Sequence, residues 1–506
     1  MHLEDRIPAD PESTIWDVIV IGTGAGGGPA GFNLARLGRS VLFVERGKLH
    51  QGTRSDAANS SFVYLPGTIH SCYPPRHTLR AASRPDDTSA LTVAYGVGGT
   101  TSVFSMVMDR FRPIDMHLRS AAQVPTDSSA PDAWPIQYED LEPYYRQAEA
   151  MFRVRGTHDP LNPTRCTLQT PDQPSDTENL ISDTLTRAQL HPYRLHYARE
   201  HLPNCDGCPL KPCAYNCRND SGRLCVVPAL EQYGAHILPD CLVVRLETRA
   251  RSVHRAICNW MGRRIAIRGR LFVLALNALY TPALLLRSAN DLFPDGLGNR
   301  SGTVGRNLML HVSDCLYVKF KARRGLLNAL MNNGLSLNDF YVRDGVKLGN
   351  IHAHAMDLSQ ITGKHPLDSA AGTVVFSTIV EDFPYLENRV VPKRGSEDKI
   401  YWEYHYSSEL GTRSEMLVKA FADTLKPECD VSVCQPSGSL NPTHACGTCR
   451  SGNDPQTSVL DRDNRIHELD NAYVVDASFF PSSGGINPSL TIVANSLRVS
   501  ELIARR

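Results

Sequence analysis

Three glycines near the N-terminus have a spacing that suits phosphate binding. Gly22, Gly24 and Gly27 give the pattern G-x-G-x-x-G, directly after an apolar run at 16–21 and before a helix-like stretch. Glycine there permits a tight turn, close approach of the backbone to a pyrophosphate, and close packing of helix on strand. Glu45 ends the next predicted strand, where a carboxylate can accept hydrogen bonds from an adenosine ribose and disfavours a 2′-phosphate. The pattern predicts a dinucleotide site and argues against NADP, but it does not choose between NAD and FAD.

Clustered thiols form a second candidate centre. The segment CDGCPLKPCAYNC contains Cys205, Cys208, Cys213 and Cys217, and Cys225 follows it. Thiolates at such short spacings, with Pro and Gly between them, suit an iron-sulfur centre or zinc. Structural thiols or disulfides are the alternative, because spacing alone does not bring sulfur atoms together.

The composition restricts the kinds of partner. The 506 residues are 42% hydrophobic and 21% charged, with 53 Lys plus Arg against 53 Asp plus Glu. This composition excludes intrinsic disorder, and a net charge of zero favours a small-molecule partner over nucleic acid or an anionic membrane. The longest apolar stretch, 271–286, is too short and too interrupted to predict a membrane span. The N-terminal residues resemble no export signal, so we expect a cytoplasmic location.

The elements that must position these groups follow from hydrophobic periodicity. A strand, a helix and a second strand open the chain, and three more strands at 241–247, 254–260 and 271–276 would complete their sheet. The β-rich runs between 313 and 406 predict an antiparallel sheet in a second domain. The predicted fold class is therefore α/β, with a Rossmann-like nucleotide-binding domain and a second α+β substrate domain.

Both predicted domains are discontinuous in sequence. The nucleotide-binding domain takes residues 14–120, 200–311 and 436–506, and the substrate domain takes 121–199 and 312–435. The stretch 121–135 within the second domain has the composition of a polar linker.

The C-terminal region distinguishes between the cofactors. The block HACGTCR beginning at His444, together with NAYVVDASFFPSSGGINPSLTIVANSLRVSELI at 471–503, resembles the signature of the glucose-methanol-choline (GMC) family of FAD-dependent oxidoreductases. The segments at 95–104, 277–289 and 304–311 resemble further blocks of that family. The resemblance is closest to bacterial sugar and alcohol dehydrogenases, and it is weakest between 121 and 200 and between 312 and 435.

This resemblance implies an FAD site with named contacts. Gly98, Gly99 and Thr100 would pass beside the isoalloxazine ring, and Asp476 and Ala477 would lie along the ribityl chain and pyrophosphate. The stretch after Thr100 contains no His that could tether the flavin, so we expect FAD to be bound non-covalently.

The resemblance also implies a catalytic pair. His444 falls where the family places its catalytic His, and Asn487 falls where it places a second His or an Asn. An imidazole can take a hydroxyl proton near neutral pH, and an amide can hydrogen-bond the same oxygen. Pro488 starts the final helix, whose dipole would favour negative charge on the flavin. His311 and His467 receive no catalytic role.

The expected reaction is oxidation of a CH-OH group of a small-molecule alcohol or sugar, with hydride transfer to flavin N5. The alternative is a flavin-containing lyase of the same fold that has no redox turnover. The residues identify neither the substrate nor the electron acceptor, which could be oxygen, a quinone or a cytochrome partner.

Within the family, the spacing Cys208-x4-Cys213-x3-Cys217 is similar to that of bacterial FAD-dependent glucose dehydrogenases, in which three Cys hold a three-iron cluster. This similarity implies a [3Fe-4S] cluster that passes electrons onward, with zinc and structural thiols as alternatives. Those dehydrogenases are exported with a signal-bearing partner, so a periplasmic location is the alternative to the cytoplasm.

Overall fold

The helices and strands are taken from a computed structural model, which describes residues 3–49, 69–72, 91–121, 123–200, 217–321, 334–353, 373–433, 438 and 440–506. The helices in these ranges are α1 (Gly27–Arg36), α2 (Leu118–Ala121), α3 (Tyr138–Met151), α4 (Asp176–Arg187), α5 (Val227–Gln232), α6 (Asn277–Arg287), α7 (Ser408–Leu425) and α8 (Ser489–Ala504). No helix among the described residues combines the length and apolarity needed to cross a bilayer.

The strands in the same ranges are, in chain order, β1 (Ile15–Ile21), β2 (Val41–Val44), β3 (Ile69–Cys72), β4 (Leu91–Ala94), β5 (Tyr193–Arg194), β6 (His236–Leu238), β7 (Cys241–Arg249), β8 (Ser252–Trp260), β9 (Arg263–Leu274), β10 (Met309–Val312), β11 (Cys315–Phe320), β12 (Leu335–Leu337), β13 (Val342–Arg343), β14 (Val346–Lys347), β15 (Gly349–Ala353), β16 (Thr373–Val380), β17 (Arg389–Pro392), β18 (Ile400–Glu403), β19 (Cys429–Val433), β20 (Leu440–Cys446) and β21 (Ala472–Val474).

The first sheet has a parallel centre. Strands β6, β2, β1, β9 and β21 run parallel, and β8 and β7 extend the sheet from β9 in antiparallel order. Val18, Ile19 and Val20 of β1 are fully buried, as expected for a strand covered on both faces. Helix α1 packs between this sheet and α8, where Asn33 donates a hydrogen bond to Ser500 at 2.8 Å. The sheet therefore joins the first and the last segments of the chain.

The second sheet is antiparallel and has two different faces. Its main order is β19-β11-β16-β15-β12-β5, and β10 pairs with β16 and β20. One face is apolar and packs on α7, where the rings of Phe376 and Phe421 lie 5.4 Å apart. Side chains alternate along a strand, so the row formed by Cys315, Ser377 and His352 lies on the other face. This architecture confirms the predicted fold class.

Two features differ from the sequence-based picture. Among the described strands, β18 pairs with β17 alone, in a hairpin whose Ile400 and Trp402 pack on α6 rather than in the second sheet. Strands β10 and β20 pair with the second sheet, although the predicted division assigns most of β10 and all of β20 to the nucleotide-binding domain. Short strands of mixed composition give no periodic signal that would indicate their partners.

Candidate active site

The carboxyl ends of β1 and β9 form a cradle built from glycines. Gly22 has a φ of 95°, and a Cβ there would lie 2.3 Å from the carbonyl oxygen of Ala275. A Cβ on Gly27 would lie 1.9 Å from the carbonyl oxygen of Gly22. Side chains at either position would push the turn away from the sheet, so the backbone geometry itself demands glycine.

Space is left where a diphosphate would lie. A Cβ on Gly24 would find its nearest neighbour, the oxygen of Gly98, at 3.9 Å. Gly98 and Gly99 have φ values of 94° and 53°, and they lead into the short 3-10 helix that contains Thr100. The first N–H groups of α1 have no partners within the helix and attract anions. The two glycine loops therefore fit the diphosphate of FAD. When FAD is bound, its flavin ring would accept hydride from carbon.

Glu45 ties the loops of this cradle together. Its buried carboxylate accepts hydrogen bonds from the hydroxyl of Thr23 at 2.6 Å and from the N–H groups of Gly47 at 2.9 Å and Gly96 at 3.2 Å. Burial raises the pKa of the Glu45 carboxyl, and these donors oppose that rise. The structure gives Glu45 a loop-positioning role, and its contact with a ribose stays a prediction.

Asp476 has a similar positioning role at the end of β21. Its carboxylate accepts from the N–H and hydroxyl of Ser478 at 2.9 and 2.5 Å, and from the hydroxyl of Thr281 at 2.5 Å. The carbonyl of Ala477 accepts from the N–H of Gly447 at 3.1 Å. These bonds join the predicted cofactor segment to the HACGTC block, and direct contact of Asp476 and Ala477 with FAD stays a prediction.

Ser221, to which sequence reasoning assigned no contact, completes the cradle. The Ser221 hydroxyl lies 2.8 Å from the carbonyl oxygen of Thr23 and 2.9 Å from that of Gly24, and the Ser221 N–H donates to the hydroxyl of Thr101 at 3.0 Å. Ser221 thereby links both glycine loops. A lone serine between strand patterns carries no sequence signal for this contact.

The predicted catalytic pair is brought together. Nε2 of His444 lies 3.5 Å from Nδ2 of Asn487. His444 stands in a bulge, because Met309 pairs with Cys446 and His311 with Asn441, which leaves one residue of β10 opposite four of β20. Bulges re-aim side chains and are frequent beside active sites. The bulge thus explains how a residue in a paired strand reaches Asn487.

Asn487 is held by a loop that is anchored on several sides. The N–H of Gly484 donates to Glu381 at 3.0 Å, and the N–H of Gly485 donates to the Tyr341 hydroxyl at 2.9 Å. A Cβ on Gly484, whose φ is 67°, would lie 2.7 Å from the ring of Phe111. Pro488 occupies the N-cap position of α8, within one residue of the predicted helix start.

Buried charges lie directly behind this loop. Lys347 forms ion pairs with Asp115 and, at 2.7 Å, with Glu381, and Tyr341 donates to Asp115 at 2.7 Å. All four side chains are buried. Removing one partner from such a group would leave an unpaired charge in the interior, which is energetically costly. The group therefore holds the loop in place.

His311 contacts His444, although sequence reasoning assigned it no role. Its Nδ1 lies 2.9 Å from Nδ1 of His444, and its ring is fully buried. Burial lowers the pKa of His311 to about 4. The two residues are 133 positions apart, so no local pattern could have indicated the contact.

The cysteine cluster is only partly described. Cys208 and Cys213 lie outside the described residues, and Cys217 is buried. No group of three or more His, Cys, Asp or Glu side chains suited to a metal ion occurs among the residues that the structure describes. The iron-sulfur interpretation therefore stays a prediction.

This combination of a glycine cradle, two sheets and the predicted His444–Asn487 pair is typical of an FAD-dependent oxidoreductase, and comparisons with known proteins identify the family. Profiles described as GMC oxidoreductase match residues 26–313 and 416–496. The chain belongs to the GMC oxidoreductase family, and the recognition made from its sequence is confirmed.

Curated relatives match over nearly the whole chain. The 6'''-hydroxyparomomycin C oxidase of Streptomyces lividus is 28% identical, over 99% of this chain and 93% of its own length. The paromamine 6'-oxidase of Streptomyces fradiae is 28% identical, over 97% and 92%. The fructose dehydrogenase large subunit of Gluconobacter japonicus is 26% identical, over 96% and 97%.

Solved structures support the fold. Pyridoxine 4-oxidase from Mesorbium loti superposes with a TM-score of 0.64 at 17% identity, covering 97% of this chain and 98% of that one. An FAD-dependent oxidoreductase from Chaetomium thermophilum gives 0.65 at 15% identity, covering 97% and 99%. The enzymes named above are oxidases, a dehydrogenase and an oxidoreductase, so they lend no support to the lyase alternative.

Proposed function

We propose that the protein oxidises a CH-OH group of a small-molecule alcohol or sugar, with His444 taking the hydroxyl proton and Asn487 donating an amide hydrogen bond to the same oxygen. The main observation that supports this proposal is the 3.5 Å distance between Nε2 of His444 and Nδ2 of Asn487. That distance is at the outer limit of a hydrogen bond, so a substrate oxygen set against both atoms could contact each of them. A base and a donor acting on one oxygen favour loss of its proton as the C–H bond is oxidised.

A sugar is the substrate class that one of the relatives favours. Strand β15 holds the loop before Asn487 through the N–H of Asn350, which donates to the carbonyl of Gly485 at 3.1 Å. The Asn350 side chain is engaged inside the sheet, because its amide donates to the Ser336 hydroxyl at 2.9 Å and its oxygen contacts the His352 ring at 2.8 Å. The fructose dehydrogenase among the relatives agrees with a sugar as substrate.

An anaerobic panel of alcohols and sugars tests the proposal. Loss of the oxidised flavin absorbance on mixing with one of them is expected for the wild type. The His444→Ala variant should keep its FAD but reduce it roughly 10²- to 10⁴-fold more slowly, because a general base contributes that much. His191→Ala is the matched control, since its ring is about half exposed and pairs with Asp339 at the surface. Wild-type rates in His444→Ala, or product formed with the flavin still oxidised, would contradict the proposal.

The same sample distinguishes the interpretations of the cysteine cluster. About three irons per chain with acid-labile sulfide would support a [3Fe-4S] cluster on Cys208, Cys213 and Cys217 and an external electron carrier. Zinc without iron would indicate a zinc site. Flavin without metal would make the thiols structural, and oxygen and artificial acceptors would then be compared directly.

A further inference from the structure

His311 contacts the base of the proposed reaction without a part in the reaction itself. The pairing of β10 with β20 sets the two imidazole rings almost perpendicular, with an angle of 84° and centroids 5.0 Å apart. Their Nδ1 atoms are 2.9 Å apart, so one of them must donate a hydrogen to the other.

The surroundings of His311 decide which ring donates. Its Nε2 lies 2.8 Å from the carbonyl oxygen of Gly484 and 3.1 Å from that of Ser483. Carbonyl oxygens only accept, so Nε2 of His311 carries a hydrogen. The buried ring is neutral near pH 7, because burial lowers its pKa to about 4. A neutral imidazole with hydrogen on Nε2 presents a lone pair at Nδ1.

Charged groups near His311 do not reverse this assignment. Burial and the Lys347 ammonium both lower the pKa of His311. Asp115 raises that pKa, but its effect is smaller than that of burial. Glu381 is engaged with Lys347 and the N–H of Gly484. Asp382 accepts from the N–H of Leu310 at 2.8 Å and from the Tyr404 hydroxyl at 2.8 Å.

The hydrogen between the rings therefore belongs to His444. With hydrogen on Nδ1, a neutral His444 has its lone pair on Nε2, the nitrogen nearest Asn487. The Asn441 amide nitrogen is a donor and lies 3.4 Å from Nδ1 of His444, farther than the 2.9 Å to Nδ1 of His311. Its hydrogens also have the Ser313 hydroxyl as an acceptor at 3.4 Å, so the shorter contact with His311 decides the tautomer.

We propose that His311 is a positioning residue that fixes the tautomer of His444, so that Nε2 faces the substrate hydroxyl as the proton acceptor. This proposal rests on the proposed function of the same site. When Nε2 takes the hydroxyl proton, the bond from Nδ1–H to His311 becomes charge-assisted and therefore stronger. His311 thereby raises the proton affinity of the base as well as orienting it.

Flavin reduction measured against pH tests this role in two variants. His311→Leu removes the acceptor, so the limiting rate should fall, but by less than the roughly 10²- to 10⁴-fold that loss of the base itself costs. The acidic limb of the pH profile should also move to lower pH, because the protonated base loses a stabilising contact. His311→Asn, whose amide oxygen can accept from Nδ1–H, should recover most of the rate. The control is His467→Leu, which loses a ring contact with Ser458 at 3.0 Å.

A measurement without turnover separates this proposal from the proposed function. In protein with ¹⁵N-labelled histidine, the His444 resonances, assigned with His444→Gln, should show hydrogen on Nδ1 in the wild type and a mixture of tautomers in His311→Leu. Hydrogen on Nε2 in the wild type overturns the proposal whatever the activity. Equal losses in His311→Leu and His311→Asn with an unmoved acidic limb would show a purely structural role. Absence of flavin reduction by every substrate, with the tautomer as expected, would instead contradict the proposed function.

Discussion

The cofactor cradle and the loop at 483–487, called the Asn487 loop below, depend mainly on different interactions. Around Gly22 and Gly27 the geometry depends on missing side chains, and backbone atoms approach within distances that no Cβ would allow. Around 483–487 it depends on side chains that are present, namely the buried charges of Lys347, Asp115 and Glu381 and the ring of His311. Hydrogen bonds also join the cradle and Gly484 also lacks room for a Cβ, but only the second region has a buried group of charges behind it. An added methyl group at Gly22 should therefore harm cofactor binding in the first region, and removal of a buried charge should harm the stability of the second.

The largest effect is expected in the cradle. Gly22→Ala places a Cβ against the carbonyl oxygen of Ala275 at a left-handed φ, so the purified protein should contain little or no FAD. Gly38→Ala is the matched control, because Gly38 has a φ of 85° but no atom within 4 Å of the added Cβ. It should cost about 1 kcal/mol of stability from backbone strain and keep its FAD. Equal FAD content in the two variants, measured by absorbance, would contradict the claim that the volume at Gly22 limits the cradle.

The next largest effect, on the free energy of unfolding, is expected behind the Asn487 loop. Lys347→Met leaves Asp115 and Glu381 buried without their cation, which should lower the free energy of unfolding by about 3–5 kcal/mol. Lys419→Met removes an exposed ion pair with Asp423 and should change the free energy of unfolding by less than about 0.5 kcal/mol. Urea unfolding of both variants measures the difference. Similar values would show that the buried charges do not anchor the loop.

The smallest effect is a pH dependence that belongs to the second region. His311 has a pKa of about 4 in the folded protein against 6.5 for an ordinary His, so on acidification the unfolded chain binds the proton first. The contribution of His311 to the free energy of unfolding is complete above the ordinary pKa of a His. It declines by about 2 kcal/mol as the pH falls from about 8 to about 5. His311→Asn should lack this part of the decline. Parallel unfolding curves for variant and wild type at both pH values would contradict the assignment.

The predictable parts of the molecule are those whose physics is local. The βαβ opening, the glycine spacing and the antiparallel character of the middle segment follow from patterns within about 30 residues, and the structure confirms that fold class. The resemblance to the GMC family added His444 and Asn487, which the structure places together. Neither source assigned His311, because its role arises from a strand pair that brings distant segments together.

Other residues were predicted in the right place with an incomplete account of their contacts. Glu45 ends β2 as expected, but its carboxylate is engaged by Thr23, Gly47 and Gly96 in the structure. The run at 400–403 is a strand as predicted, yet it packs on α6 in a hairpin of its own. Periodicity reports that one face is apolar, and it does not report which surface will cover that face.

The chain order of these parts has a consequence for truncated forms of the protein. Strand β21 pairs with β9 inside the first sheet, and α8 packs on α1, where the Ser496 hydroxyl donates to the carbonyl of Gly26. The nucleotide sheet begins with β1 at Ile15–Ile21, and the strand that joins it last in chain order is β21 at Ala472–Val474. His444 and Asn487 belong to that same late segment. A chain truncated before β20 would lack both β21 and the predicted His444–Asn487 pair, so we expect cofactor binding and activity to be lost together.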